Sequence, residues 1–143
     1  MATSPGNVDT TASQQQGRIL LVDDEVNILK TFRFCLEDVG YQVSTARSVA
    51  EATALVQQDV FELAFLDLRL GNDSGLDLVP VFTSQAPWMK IVIITAYSSI
   101  ESAVEAIRMG AADYLAKPFT DDELVGAIEK SCERLLKKQG AAL

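Results

Sequence analysis

The chain has 143 residues and a mass of 15.5 kDa, room for one compact domain and one hydrophobic core. Apolar residues make up 48% and charged residues 22%, the balance of a globular chain and not of a disordered or collagen-like one. Twenty acidic against twelve basic side chains leave a formal charge of −8, the wrong sign for holding nucleic acid or an anionic membrane through phosphate contacts. Histidine is absent, which removes Ser-His-Asp and Cys-His nucleophile pairs and imidazole metal ligands together. Chemistry in this chain must run on carboxylates, hydroxyls and amines.

Residues 1–17 are polar, lack the basic and apolar regions of a secretory signal, and read as a disordered tail. Apolar runs reach only four residues, far short of the ~20 needed to span a bilayer. A cytoplasmic location without membrane contact is the expectation. Arg18-Ile-Leu-Leu-Val-Asp23 opens the folded part as an apolar run without alternation, the pattern of a strand covered on both faces. Next, Ile28, Leu29, Phe32, Cys35, Leu36 and Val39 recur at helical spacing and stop at Gly40. A strand is expected near Tyr41 to Ala46. Ser48 with Glu51 then forms a capping box, the hydroxyl and the carboxylate satisfying free N–H groups at a helix start.

Leu63-Ala-Phe-Leu-Asp67 and Lys90-Ile-Val-Ile-Ile-Thr95 repeat the doubly covered pattern, with a helix expected from about Gly75 to Ser84 between them. Two more capping boxes, Ser98/Glu101 and Thr120/Glu123, flank a final strand near Asp113 to Ala116. Five strand-helix units specify an α/β fold with an open, doubly wound parallel sheet. Cys35 and Cys132 stand in no metal or redox spacing and read as reduced core thiols. Trp88 reads as rim packing.

Ligands of open α/β sheets bind beyond the carboxyl ends of the strands, so the closing residues carry the information. These are Asp23-Asp24-Glu25, Asp67, Thr95-Ala96 and Lys117-Pro118. Two carboxylates ~4 Å apart repel by ~4 kcal/mol at an effective dielectric of ~20, so the acidic cluster calls for a cation. All-oxygen ligation of this kind suits Mg²⁺ or Mn²⁺. A metal beside a carboxylate, an ammonium and a hydroxyl can stabilise the equatorial oxygens of a phosphoryl group in transfer. In this scheme Asp67 is the nucleophile, Thr95 and Lys117 hold phosphoryl oxygens, and Asp23 and Asp24 hold the metal.

Each residue alone has a plainer reading: the acidic triplet as helix-start charge, Thr95 as a strand-end hydroxyl, Lys117 as a solvated amine, Tyr114 as half-buried packing. Their joint placement at the ends of separate strands favours a site. Over roughly residues 18–136 the set resembles the receiver domain of two-component response regulators. The resemblance rests on Asp23-Asp24, Asp67 with Gly75 eight residues on, Thr95-Ala96, Gly110-Ala111-Ala112-Asp113-Tyr114 and Lys117-Pro118-Phe119. Leu66-Asp-Leu-Arg-Leu-Gly71, Ser74-Gly-Leu-Asp77 and Thr95-Ala-Tyr97 are most similar to receivers of NtrC-type transcriptional activators.

The resemblance implies a flavodoxin-like sheet of order 2-1-3-4-5 with five helices, and Mg²⁺-dependent phosphoryl transfer from a sensor histidine kinase to Asp67. It further implies that Asp23, Asp24, Asp67 and the Arg69 backbone carbonyl bind the metal, and that Thr95, Ala96 and Lys117 surround the phosphoryl group. Thr95 and Tyr114 would switch the face formed by the fourth helix, fifth strand and fifth helix, a face also suited to homodimer formation. Lys117–Pro118 is the candidate cis peptide. Arg69 and Tyr97 would border the path of the hydrolytic water and slow dephosphorylation. Gly71 stands where the family often has Pro, which predicts a more mobile loop there. Residues 137–143 are expected to form a tail or the start of a linker, with the output domain absent from this chain.

Three rivals remain at this point. A haloacid dehalogenase-type phosphatase resembles Asp-x-Asp after the first strand, and here the sequence is Asp67-Leu68-Arg69 after the third. A flavin binder would not place Asp23-Asp24-Glu25 against a phosphate. A receiver-like interaction module that is never phosphorylated has the same fold; such modules usually lose an acceptor, threonine or lysine, and none is missing here.

Overall fold

A computed structural model describes residues 17–96, 100–117, 120, 122–123, 126 and 130. Five parallel strands form one sheet: β1 (Arg18–Val22), β2 (Gln42–Ala46), β3 (Leu63–Asp67), β4 (Lys90–Thr95) and β5 (Asp113–Ala116), in the order β2-β1-β3-β4-β5. The expected order is thereby met. Helices α1 (Val26–Asp38), α2 (Val49–Gln58), α3 (Leu78–Gln85) and α4 (Ile100–Met109) connect the strands. The expected fifth helix falls largely outside the described residues, as do Tyr97, Ser98, Pro118, Cys132 and both expected tails apart from Gly17.

The strands lack alternation because both of their faces are covered. Leu20, Val22, Ala64, Leu66, Ile91 and Ile93 pack with Ala52 and Val56 of α2, Leu78, Val79 and Phe82 of α3, and Ala106 of α4. Their neighbours Ile19, Leu21, Leu63, Phe65, Val92 and Ile94 face the other way onto Leu29, Phe32 and Leu36 of α1. Period-two geometry sends successive side chains to opposite faces, so two cores demand a continuous apolar strand. The Phe32 and Phe65 rings lie 5.0 Å apart, tilted at 44°. Cys35 is a free thiol, half-buried against this second core.

Helix α1 ends in a Schellman pair, Gly40 N–H to the Glu37 carbonyl at 3.0 Å and Tyr41 N–H to the Leu36 carbonyl at 3.1 Å. At α2 the Ser48 hydroxyl accepts the Glu51 N–H at 3.1 Å, while the Glu51 carboxylate reaches one residue further back than a capping box requires, to the Arg47 N–H at 2.9 Å. The Thr120/Glu123 box is complete, at 3.0 and 3.1 Å. The helix expected from Gly75 begins as one 3₁₀ turn, Gly75–Asp77, capped by the Ser74 hydroxyl on the Leu76 N–H, before α3 takes over at Leu78. Trp88 is half-exposed and donates its ring N–H to the Phe61 carbonyl at 3.1 Å, the rim packing expected of it.

One element was not legible: a two-stranded antiparallel ribbon, Arg69–Leu70 with Asp73–Ser74, directly after β3. Gly71 turns this ribbon at φ +63°, a conformation that favours glycine. The loop singled out for its glycine is folded here as a hairpin.

Candidate functional site

Strand register brings the closing residues together. Asp23 follows β1 and donates its N–H to the Ala46 carbonyl, Asp67 pairs with Ile94 across β3 and β4, and Thr95 pairs with Ala116. Lys117, one residue past β5, donates its N–H to the Thr95 carbonyl at 2.9 Å, which aims its side chain from a fixed origin. Asp23, Asp67 and Thr95 are the buried polar side chains among the described residues. A buried carboxylate is costly unless a charge or hydrogen bond meets it.

Lys117 is that charge. Its Nζ lies 2.7 Å from Asp23 Oδ2, 2.9 Å from Asp67 Oδ2 and 3.2 Å from Glu25 Oε1. The two buried acids are built alike: Asp23 Oδ1 accepts the Glu25 N–H at 3.0 Å, and Asp67 Oδ1 accepts the Arg69 N–H at 3.2 Å. Each therefore spends one oxygen on the backbone two residues ahead and the other on the shared ammonium. Burial raises the pKa of Asp23 above the ordinary carboxylate value, against the opposing pull of Lys117 and the Glu25 N–H. Burial also works to lower the pKa of Lys117, but its bonds to Asp23 and Asp67 win, and the amine is held more firmly protonated than a free lysine.

These groups border a cleft of about 240 Å³ lined by Asp24, Glu25, Asp67, Arg69, Gly71, Ala96 and Lys117. Oxygens of Asp23, Glu25 and Asp67 lie within 4.8 Å of one another, an all-carboxylate donor set that fits a hard divalent cation such as Mg²⁺ or Mn²⁺. The sequence-based assignment gave the metal to Asp23, Asp24, Asp67 and the Arg69 carbonyl; Glu25 joins Asp23 and Asp67 in this cluster of oxygens. Asp24 is half-exposed in the same cleft and accepts the Gly71 N–H on Oδ2 at 2.8 Å. Glu25 was visible in the acidic triplet, but nothing in the spacing tied it to Lys117, 92 residues away.

Gly75 closes the ribbon onto the site: its N–H donates to the Leu68 carbonyl at 2.8 Å, and a Cβ there would collide with the Asp67 carbonyl oxygen. Only glycine lets the chain fold back on Asp67 this closely. Tyr114 packs against the core on the side of α2, α3 and α4, and its hydroxyl is buried without a hydrogen-bond partner among the described residues. Tyr97 and Pro118, and with Pro118 the expected cis peptide, lie outside them.

A doubly wound parallel sheet with buried carboxylates and one ammonium at its carboxyl edge defines an α/β domain of the receiver class. The response regulator receiver domain model matches residues 19–129, and the chain belongs to that family. It is 58% identical over 122 residues to the alginate biosynthesis transcriptional regulatory protein AlgB of Pseudomonas syringae pv. tomato, covering 85% of this chain and 27% of that protein. The chain thus spans about a quarter of the length of such curated relatives. A CheY-like receiver domain protein from Methanospirillum hungatei superposes with a TM-score of 0.80 at 32% identity, over 85% of this chain and 97% of that one. A response regulator from Burkholderia pseudomallei, solved with a phosphorylated aspartic acid, a calcium ion and citrate, matches with a TM-score of 0.76 at 34% identity, over 87% and 74%.

Proposed function

We propose that this receiver domain accepts a phosphoryl group from a sensor histidine kinase onto Asp67. The observation that carries the reading is the setting of Asp67: 5% exposed at the end of β3, one oxygen on the Arg69 N–H, the other on the Lys117 ammonium, open to an acid-lined cleft. A carboxylate oxygen of Asp67 attacks phosphorus in line as the P–N bond of a phosphohistidine breaks, its electron pair leaving with the imidazole. Lys117, held charged between Asp23 and Asp67, transfers its contact to a phosphoryl oxygen, and the Thr95 hydroxyl and Ala96 bound the same group. A Mg²⁺ or Mn²⁺ ion, when bound, supplies positive charge to the phosphoryl oxygens and offsets the clustered carboxylates. Asp23, Asp24, Asp67 and the Arg69 carbonyl are its proposed ligands, with Glu25 added by its place in the cluster.

The Tyr114 hydroxyl, buried without a partner among the described residues, supports a switching role: leaving a buried hydroxyl unpaired costs about 1–3 kcal/mol, which a new partner recovers. Thr95 and Tyr114 would couple the phosphoryl group to the face of α4, β5 and the helix that follows, where a second copy or an output domain docks. Arg69, at the cleft, and Tyr97 are proposed to slow loss of the phosphoryl group. The domain works in the cytoplasm, turns over no external substrate and touches neither nucleic acid nor membrane; among the described residues no helix is long and apolar enough to cross one. Residues 1–17 and 137–143 are assigned as flanking segments of a receiver spanning 18–136.

Intact-mass measurement after incubation with a phosphorylated kinase domain or acetyl phosphate, with and without Mg²⁺, tests this directly. Wild type gains one phosphoryl group only with metal, and Asp67→Asn gains none. An adduct that persists in Asp67→Asn, or forms equally without metal, overturns the assignment; no adduct with either donor favours the non-phosphorylated interaction module.

A further inference from the structure

The ribbon after β3 reaches both acidic strand ends through backbone donors. Its first residue, Arg69, donates its N–H to Asp67; its turn residue, Gly71, donates its N–H to Asp24, 47 positions away in sequence, at 2.8 Å. Gly75 presses the far end of the ribbon onto the Asp67 backbone. The acceptor and one acid of the first strand end are thus held by a single six-residue clip. Asp24 stands between Asp23 and Glu25 in the chain and is itself half-exposed. A Cβ at position 71 would meet nothing within 4 Å, so space does not select glycine there; the φ of +63° does.

We propose that Gly71 is a positioning residue for a divalent cation, its N–H fixing Oδ2 of Asp24 so that the other carboxylate oxygen is presented to the cleft that holds Asp67. The inference rests on the cation reading of the site given above. A bond from a backbone donor to a metal-ligating carboxylate sets ligand orientation, and losing such a partner typically weakens metal binding by 10–100-fold. Proline at this position would have no N–H to give and could not adopt φ +63°.

Titration of the full chain with Mg²⁺, followed calorimetrically and by backbone amide NMR shifts, separates the possibilities. Gly71→Pro removes the donor and raises the Kd for Mg²⁺ about tenfold. Gly71→Asn keeps the N–H on the non-glycine residue most tolerant of a left-handed backbone, and its Kd stays within about twofold of wild type. Equal affinity in all three overturns the role of Gly71 and leaves the metal site intact; no saturable Mg²⁺ binding by wild type overturns the cation reading and this inference with it. If Gly71→Pro does not fold, hydrogen exchange in an unaltered ribbon decides. The Gly71 amide is protected in wild type and exchanges about tenfold faster in Asp24→Ala, and unchanged exchange overturns the proposal.

Discussion

Strand β3 holds two different solutions to burial within five residues. Leu63 to Leu66 are apolar and shielded on both faces, and their neighbours could be exchanged for others of similar volume without changing what the strand is. Asp67, one residue on, is buried too but borders the cleft, and its environment admits no such exchange: the Arg69 N–H on one oxygen, the Lys117 ammonium on the other. The interior is held by non-directional area burial, summed over many contacts, whereas the carboxyl edge is held by a few directional bonds to charges. The edge is therefore the part of the strand where single partners matter most.

Substitutions can break or sharpen that contrast. The largest expected loss lies in the interior: Phe65→Ala, fully buried and 5.0 Å from the Phe32 ring, should cost about 4 kcal/mol in urea unfolding and leave the charge arrangement at the edge in place. Lys117→Met comes next. It leaves Asp23 and Asp67 side by side without their shared cation and should cost about 3 kcal/mol at pH 7, partly recovered when Mg²⁺ is added to the unfolding buffer. If Mg²⁺ gave no recovery, the clustered acids would not be the cation site. Ser48→Ala, which deletes the cap on the Glu51 N–H, should cost about 1 kcal/mol with no effect on Mg²⁺ affinity.

The smallest effect is the most telling in sign. Because burial raises the pKa of Asp23 in the folded protein, its ionisation opposes folding: the fold is favoured more while the acid is protonated, and that favour is lost as pH rises from 3.8 through the raised folded value. Asp23→Asn, neutral at every pH, should show a higher urea midpoint than wild type at pH 7, with the difference fading below about pH 4. A lower midpoint at neutral pH would mean that the bond to Lys117 outweighs burial. The amine itself works in the opposite sense: Lys117, with its pKa raised, contributes stability that is fully present below its ordinary value of 10.5 and is lost only in strong alkali.

Much of this was readable in the chain. β3 and β4 lie where the unbroken apolar runs put them, because strands covered twice leave no room for polar alternation. The strand-end residues Asp23, Asp67 and Lys117 meet as expected, since a parallel sheet gathers all its carboxyl ends on one edge. The ribbon at Arg69–Ser74 was not readable, because two-residue strands carry no periodicity. Glu25 was seen as charge, but its pairing with Lys117 depends on where a flexible side chain comes to rest. That Gly71 turns a hairpin and bonds Asp24 was not readable either, because Asp24 is remote in sequence.

By itself, then, the sequence determined the sheet, its winding and which residues close its strands at the carboxyl edge, because hydrophobic periodicity and strand-end position are local properties of the chain. Only the tertiary structure decided how the acids share their partners: Asp23 and Asp67 on one ammonium with Glu25 beside them, and Asp24 turned to the Gly71 N–H. The physical reason is distance along the chain. Lys117 stands 94 residues from Asp23 and 50 from Asp67, and which carboxylate oxygen takes which donor is fixed by strand register and by the folded ribbon, not by any spacing a sequence can display.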